Sequence, residues 1–165
     1  APKRAWVRII PVAMRGVASP MMMSGVRAWL CTSALELKKL FRASDGLLLA
    51  SPEYNAGISG TLKNVLDWVS RSAPGEKPLE CYRGKVAGLC SASTGALGGI
   101  RGLAIVRLIL GNIGVVVLPD QVAVPKAAEA FDDEGNVLDP GRRKALMELG
   151  ASLAHAARAL RKEPG

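Results

Sequence analysis

The chain has 165 residues, a formal net charge of +8 and an apolar fraction of 49%, but only 4% of its residues are aromatic. This length suits one domain with its own core, and the scarcity of aromatic side chains argues against a protein that stacks the bases of single-stranded nucleic acid. No apolar run reaches the roughly 18 residues of a membrane-spanning helix. We therefore expect a single domain that binds neither nucleic acid nor membranes.

The three cysteines, Cys31, Cys81 and Cys90, are odd in number and include no C-x-x-C pair. This spacing argues against a disulfide framework and against a zinc site built from cysteines. We expect no metal site, and a reducing, cytoplasmic setting fits the cysteine usage best.

Residues 1–33 differ from the rest of the chain because they contain five basic residues and no acidic one. An acid-free, arginine-rich segment is the composition of a transit peptide. The candidate strand here, 6–12, is interrupted by Arg8 and Pro11. We treat residues 1–33 as an atypical basic segment and residues 34–165 as the main part of a single domain.

From residue 34 onward, buried-strand patterns alternate with helical ones. The expected elements in chain order are a helix over 34–42, a strand over 46–50, a helix from Ser59 or Thr61 to Arg71, a strand over 84–90, a helix over 100–112, a strand over 115–118 that Pro119 and Asp120 close, and a helix from Pro140. The strands are continuous apolar runs, as in a parallel sheet covered on both faces. Alternating strands and helices indicate a doubly wound α/β sheet.

Helical spacing also predicts which side chains face the core. In the first helix we expect Leu37 and Leu40 to face inward and Lys38 outward. In the last helix the side chains expected to face inward are Leu146, Leu149, Leu153 and Leu160.

Two loops follow predicted strands, at the position where open α/β sheets bind ligands. The first reads Pro52-Glu53-Tyr54-Asn55 and leads into a helix with the pattern L-K-N-x-x-D-W over 62–68. The second, 91–99, consists of small and hydroxyl-bearing residues. Small residues allow a planar ligand to approach the backbone closely.

These segments resemble the PEYN loop with its L-K-N-x-x-D-W helix, and the S-x-S-x-G-x-x-G-G-x-R segment, of the NAD(P)H-dependent FMN reductase family. That family includes quinone, azo-dye and chromate reductases. The resemblance covers residues 34–160. It implies a flavodoxin-like fold, with a doubly wound parallel sheet of five strands flanked by helices, in which the N-terminal part is atypical.

The resemblance further implies an enzyme that passes hydride or electrons from NAD(P)H through FMN to quinones, azo compounds, flavins or metal oxyanions. The flavin N5 carries such chemistry, so no side chain is expected to be catalytic. The implied partners are a pyridine nucleotide, a small-molecule electron acceptor and further copies of the chain in a homodimer or homotetramer. The residues that the resemblance places at the cofactor are Pro52, Glu53, Tyr54, Asn55, Ser93, Thr94 and Gly95.

The alternative is a degenerate flavodoxin-like domain that binds no flavin and acts as an interaction protein or is inactive. Members of the family open with a G-S-x-R-x-x-S-x-N loop around the FMN phosphate, and residues 1–33 contain no such motif. We favour a frameshifted N-terminus over truncation or divergence as the reason. Without this loop FMN affinity should fall, since each charge-assisted hydrogen bond to the phosphate contributes about 1.5–3 kcal/mol.

Four further side chains have two interpretations each. Arg101 and Arg107 match the family's G-G-x-R-x-x-x-x-x-R spacing, which places them at a subunit interface or near the pyridine nucleotide, unless they are plain exposed helix residues. His155, the only histidine, is expected to be solvated or packed and not catalytic. Cys90 is expected to be a buried structural cysteine; the alternative is a redox-sensitive neighbour of the flavin.

Overall fold

The computed structural model describes residues 9–13 and 26–161, with side chains from residue 35 to residue 161. The elements in chain order are β1 (Ile9–Ala13), α1 (Val26–Ala43), β2 (Gly46–Ala50), β3 (Glu53–Tyr54), β4 (Gly57–Ile58), α2 (Gly60–Ser70), β5 (Val86–Ala92), α3 (Ile100–Asn112), β6 (Val116–Val124) and α4 (Pro140–Leu160). None of the described helices has the length and hydropathy needed to cross a membrane.

The main sheet is parallel, with the strand order β1-β2-β5-β6. Ala50 at the end of β2 lies opposite Ala13 on one side and Cys90 on the other. The carboxyl ends of these strands therefore lie at one edge of the sheet. A helix lies between each two successive strands of this sheet, as parallel pairing requires. The predicted parallel sheet flanked by helices is confirmed, and the described residues supply four of its five expected strands.

Both faces of this sheet are covered. Leu47 and Leu49 of β2 belong to the core cluster that includes α2 and α3, whereas Leu48 packs with Leu153 of α4 on the opposite face. Side chains alternate across a strand, so a strand covered on both faces needs apolar residues at every position. This explains why β2 is a continuous apolar run.

Helix α1 differs from its prediction in length and in orientation. It begins at Val26, not at residue 34, and Lys38 is buried whereas Leu40 is exposed. Lys38 Nζ donates to the carbonyl of Arg71 at 2.6 Å and to the carboxylate of Glu76. A buried ammonium group is tolerated only with such partners, and hydrophobic periodicity alone does not reveal them.

Helices α2 and α3 match their predictions. Ser59 is the N-cap of α2, since its hydroxyl accepts from the backbone N–H of Leu62 at 3.1 Å. Helix α3 spans Ile100–Asn112, as the sequence predicts. Helix α4 begins at Pro140 as predicted, but only Leu149 and Leu153 of its four expected inward leucines are fully buried, and Leu160 is exposed. Leu160 is the last residue of the helix, beyond Ala157, which still packs on the sheet.

Strand β6 continues through the predicted stop at Pro119 and Asp120 and ends at Val124. Its pairing with β5 shifts register between Ala87 and Leu89, so three residues of β6, 118–120, bulge away. Arg107 of α3 donates to the carbonyls of Leu118 at 2.8 Å and Pro119 at 3.2 Å. Because β6 pairs only with β5 among the described strands, the bulge and the proline lie on an edge.

Candidate functional site

The two predicted loops lie side by side at the carboxyl edge of the sheet. The backbone N–H of Ser51, after β2, donates to the carbonyl of Cys90 in β5 at 2.9 Å. The second loop is joined to the segment after β6, since Lys126 N–H donates to Gly95 O at 3.2 Å and Ala127 N–H donates to Ser93 O at 3.0 Å. Three consecutive strand ends of the sheet thus converge on one edge, where open α/β sheets bind ligands.

The first loop is a short β-hairpin. Glu53–Tyr54 pairs antiparallel with Gly57–Ile58, and the two residues between them, Asn55 and Ala56, have φ values of +51° and +61°. Two central residues with positive φ define a type I′ turn, for which asparagine is favoured. The turn leaves the Tyr54 residue 54% exposed.

Glu53 connects this hairpin to α3. Its side chain is only 6% exposed, and its carboxylate accepts hydrogen bonds from Arg101 Nε at 2.9 Å and from the backbone N–H of Gly102 at 3.0 Å. The Arg101 guanidinium, followed by the Gly102 N–H, holds the pKa of Glu53 below its ordinary value. The first turn of a helix favours a carboxylate, so Glu53 fixes the hairpin against α3.

The glycines of the second loop have two separate roles. Gly98 has a φ of +62°, and a Cβ there would lie 2.7 Å from the backbone N of Pro125. Gly99 has a φ of +91°, and its Cβ would lie 2.9 Å from the side chain of Ser91. Gly95 differs, since the nearest atom to its Cβ would be Ser93 Oγ at 3.8 Å. Gly98 and Gly99 are therefore needed for packing, whereas the surface over Gly95 is open.

The seven residues predicted to contact a cofactor separate into three groups. Tyr54, Asn55, Thr94 and Gly95 are exposed at this edge. Pro52 and Ser93 are half-buried in the same two loops. Glu53 lies between the loops and is engaged by α3, as described above.

The sequence did not reveal the partnership of Glu53 with Arg101. The two residues are 48 positions apart, and Arg101 was singled out only by its family spacing. Ser91 Oγ, which donates to the carbonyl of Gly98 at 2.6 Å in a buried position, was also missed. The only sequence signal for the pair of Glu53 and Arg101 is that the two residues carry opposite charges and that each follows a predicted strand.

Of the other candidate residues, Arg107 and His155 belong to helices α3 and α4, whereas Cys90 lies opposite Ala50 at the end of β2. Arg107 holds the bulge of β6, and His155 is exposed on α4. Cys90 is partly buried, and burial raises the pKa of its thiol, which lowers its reactivity. Within residues 35–161, no group of three or more His, Cys, Asp or Glu side chains is arranged to hold a metal ion.

The edge therefore offers exposed backbone, hydroxyl groups and one exposed aromatic ring. These groups suit a flat polar ligand whose rim is hydrogen-bonded and whose face lies on small residues. The carboxylate nearest to the edge, that of Glu53, is already paired. The described loops thus carry groups that suit binding and orientation of a ligand, and a bound cofactor would have to supply electron-transfer chemistry.

Comparison with known proteins gives concordant results. Residues 12–129 match the model of a family described as NADPH-dependent FMN reductase, and the match begins inside the segment 1–33. The chain is 37% identical over 125 residues to an NAD(P)H-dependent FMN reductase of Pseudomonas aeruginosa, covering 75% of this chain and 65% of that relative. The chain thus spans less than two thirds of that relative's length.

Two solved structures place the fold. The flavoenzyme NAD(P)H:(acceptor) oxidoreductase FerB of Paracoccus denitrificans has a TM-score of 0.68 and 27% identity, with 86% of this chain and 76% of FerB covered. A flavodoxin from the domain Archaea has a TM-score of 0.55 at 9% identity, covering 91% of this chain and 96% of the flavodoxin. The second likeness concerns the fold alone, and it confirms that the fold is flavodoxin-like.

Proposed function

Because the chain belongs to the NADPH-dependent FMN reductase family, we propose that it carries the flavin site of an oxidoreductase. The proposed reaction is the reduction of quinones, azo compounds, flavins or metal oxyanions by NAD(P)H, for which bound FMN would supply the hydride-transfer chemistry. The acceptor classes come from the resemblance of the two loops to the family. The observation that carries the proposal is the contact of Glu53 with Arg101 and Gly102, which holds the first loop against the start of α3, directly after the second loop.

The residues present fit a flavin. A Cβ on Gly95 would have Ser93 Oγ at 3.8 Å as its nearest atom beyond the adjacent residues, so a flat ring can approach the backbone there. Tyr54, Asn55 and Thr94 are exposed beside it and supply an aromatic ring, an amide and a hydroxyl. We assign Pro52, Tyr54, Asn55, Ser93, Thr94 and Gly95 to the cofactor. Glu53 is assigned to the same site as a positioning residue, since its carboxylate is held by α3.

FMN, when bound, supplies the hydride-accepting centre, and the protein supplies binding and orientation. The hairpin of β3 and β4 fixes Tyr54 relative to α3 through Glu53. The bonds from Ala127 to Ser93 and from Lys126 to Gly95 fix the second loop relative to β6. Both loops are thereby ordered before a ligand arrives, which lowers the entropic cost of binding.

The phosphate end of FMN belongs, by resemblance, to the loop after the first strand. Residues 14–25 follow β1 and lie outside the described residues, so the expectation of a missing phosphate motif falls there. The division of the chain into 1–33 and 34–165 also stays a prediction. The flavin-free alternative therefore concerns the phosphate end, whereas the proposal for the ring end rests on the two loops described above.

The test compares FMN with riboflavin, which lacks the phosphate. The purified protein is saturated with each, passed through a desalting column and examined by absorbance before and after addition of NADH or NADPH. Retained flavin bands that a pyridine nucleotide bleaches support the proposal. Equal affinity for FMN and riboflavin would show that the protein makes no stabilising contact with the phosphate. Failure to retain either flavin would favour the inactive, flavin-free domain.

The proposal includes a homo-oligomer that pairs through the outer face of α3. This face carries Ile100, Ala104 and Leu108, spaced four residues apart and exposed, with the exposed Leu97 just before the helix. An apolar stripe on a charged protein marks an interaction surface. It lies next to the hairpin that presents Tyr54, so a second copy would approach the flavin edge. We also propose a cytoplasmic location, which the free thiols of Cys81 and Cys90 support.

A further inference from the structure

A second cavity lies at the opposite edge of the sheet, where β2 and β5 begin. It has a volume of about 450 Å³, which falls in the range of small-molecule sites. Ser44 and Asp45 precede β2 and line one side, Lys85 precedes β5, and the end of α4 closes the cavity with Leu160 and Arg161. The strands are parallel, so the full length of the sheet separates this cavity from the proposed flavin edge.

The charges around this cavity are unbalanced. Its wall contains four cationic side chains and two anionic ones, namely Arg42, Arg83, Lys85 and Arg161 against Asp45 and Glu80. Arg42 is paired with Glu76 at 2.6 Å and Arg161 with Asp45 at 3.8 Å. Arg83 is exposed and makes no side-chain hydrogen bond or ion pair within the described part of the chain.

The second notable cation is Lys85, whose ammonium group is buried. Its ammonium group donates to the carbonyl of Ser44, and within residues 35–161 its other two N–H donors have no hydrogen-bond acceptor. Burial lowers the pKa of Lys85, so an anion close to it would be bound favourably. Buried cations are normally paired, and the carboxylate that acts on Lys85, that of Asp45, also forms an ion pair with Arg161.

We propose that this cavity binds a small molecule through a phosphate group. Its apolar wall, Ala157 and Leu160, can also accept an organic part of such a molecule. The site is separate from the flavin site and does not depend on the proposed function.

The simpler explanation is that the cations neutralise the carbonyl ends of α1 and α4, which terminate here. Several of these carbonyls already have partners. Phe41 O accepts from the Ser44 hydroxyl at 2.8 Å and Arg158 O accepts from the Arg161 N–H at 3.4 Å. Arg83 belongs to neither helix and reaches neither set of carbonyls. The cavity therefore contains more cationic side chains than the free carbonyl groups at the ends of α1 and α4 require.

The test is isothermal titration calorimetry with inorganic pyrophosphate, on protein with and without saturating FMN. Arg83→Gln is the cavity variant. Arg142→Gln is the matched control, since Arg142 is also exposed but lies at the other end of α4, about 27 Å away at 1.5 Å per residue. Loss of one charge-assisted hydrogen bond should weaken pyrophosphate binding about tenfold or more in Arg83→Gln. The control should bind within about twofold of wild type.

Equal weakening in both variants would overturn the proposal, because it would indicate attraction to net charge. Loss of binding when FMN is present would also overturn it, since the anion would then occupy the flavin phosphate site. Absence of binding by the wild-type protein at millimolar pyrophosphate is a third contradicting result. A parallel titration with AMP separates the sources: tighter binding of AMP identifies a phosphorylated organic molecule, and tighter binding of pyrophosphate an inorganic one.

Discussion

Glu53 Oε2 accepts a hydrogen bond from the backbone N–H of Gly102 at 3.0 Å, at a point where a Cβ on Gly102 would lie 3.5 Å from Glu53 Cβ. The carboxylate thus reaches the first turn of α3, where a Cβ on Gly102 would also lie 3.3 Å from the carbonyl oxygen of Gly57. The hairpin that presents Tyr54 is held to the rest of the molecule through this carboxylate. In the proposed flavin site Glu53 is therefore a positioning residue, and its side chain is only 6% exposed.

We therefore expect Glu53→Gln to weaken FMN binding about tenfold, the value of one charge-assisted hydrogen bond. The amide keeps the size of the side chain but loses the ionic bond to Arg101. Fluorescence titration of FMN measures the effect. Glu148→Gln removes an exposed carboxylate whose partner Lys144 lies 3.7 Å away, and it should leave FMN affinity unchanged. Unaltered affinity in Glu53→Gln would show that the hairpin is positioned by other contacts.

The glycines of the second loop separate folding from binding. Gly98→Ala should lower the free energy of unfolding by at least about 2 kcal/mol, since it adds a left-handed alanine and a backbone clash. Gly95→Ala should change it by less than about 0.5 kcal/mol, because the Cβ enters open space. It should nevertheless weaken FMN binding about tenfold if the flavin ring packs there.

Urea unfolding and FMN titration of both variants provide the measurement. Full FMN affinity in Gly95→Ala would place the flavin ring elsewhere on the edge. Normal stability in Gly98→Ala would contradict the packing of this loop against the start of the segment after β6.

The type I′ turn contains an alanine at a positive φ. Ala56→Gly should raise the free energy of unfolding by about 0.5–1 kcal/mol, because an L-residue in the left-handed region costs about 1–2 kcal/mol and glycine returns part of this as chain entropy. Thermal unfolding should show a midpoint about 1–4 °C higher. Ala151→Gly, at an exposed position within α4, should have the opposite effect and lower the free energy of unfolding by about 0.5–1 kcal/mol.

Stability at acid pH should depend on Glu76. Its carboxylate accepts from the Ala73 N–H, Lys38 and Arg42, and these bonds lower its pKa from 4.5 to about 2. Because the folded pKa lies below the unfolded one, this stabilisation is fully present above pH 4.5 and is lost as the pH falls toward 2. Glu76→Gln should therefore be less stable than wild type at neutral pH, and the difference should shrink in that interval.

Urea unfolding at a series of pH values tests this expectation. If the difference in the free energy of unfolding between wild type and Glu76→Gln stayed constant down to the pKa of folded Glu76, the charge of the carboxylate would not be the source of the stabilisation. Glu148→Gln again serves as the control and should remain within about 0.5 kcal/mol of wild type throughout.

The outer face of α3 should control assembly. Leu108 is 74% exposed on α3 and Met147 is 73% exposed on α4, so Leu108→Glu and Met147→Glu place the same charge at equally accessible positions. Leu108→Glu should reduce the mass measured by light scattering to that of a monomer, and Met147→Glu should leave it unchanged. The reverse result would assign the interface to α4.

Much of the fold could be predicted because it depends on local patterns. The apolar run 47–49 identified β2, a hydroxyl at Ser59 or Thr61 marked the start of α2, and Pro140 marked that of α4. The failures arose where a distant partner overrides the local pattern. Lys38 is buried because Arg71 O and Glu76 receive its ammonium group, and β6 passes Pro119 because an edge strand tolerates a bulge.

The same distinction between local patterns and distant partners applies to the candidate site. Short motifs identified both loops, since the small and hydroxyl residues that suit a flat ligand are contiguous in the sequence. The hairpin between Glu53 and Ile58 was missed because Asn55-Ala56 lacks the glycine that normally announces a type I′ turn. The orientation of Glu53 was missed because its partners belong to α3.

The contact between Arg107 and the bulge of β6 uses main-chain oxygens of Leu118 and Pro119. Side chains at 118–120 can therefore be exchanged without loss of these bonds, whereas lysine at 107 would lack the planar fork that reaches several acceptors at once. The course of the edge strand is thus specified by a residue of the preceding helix, about ten positions upstream. Substitutions should accumulate freely in the bulge and be rejected at Arg107, so the information for its shape lies outside the strand itself.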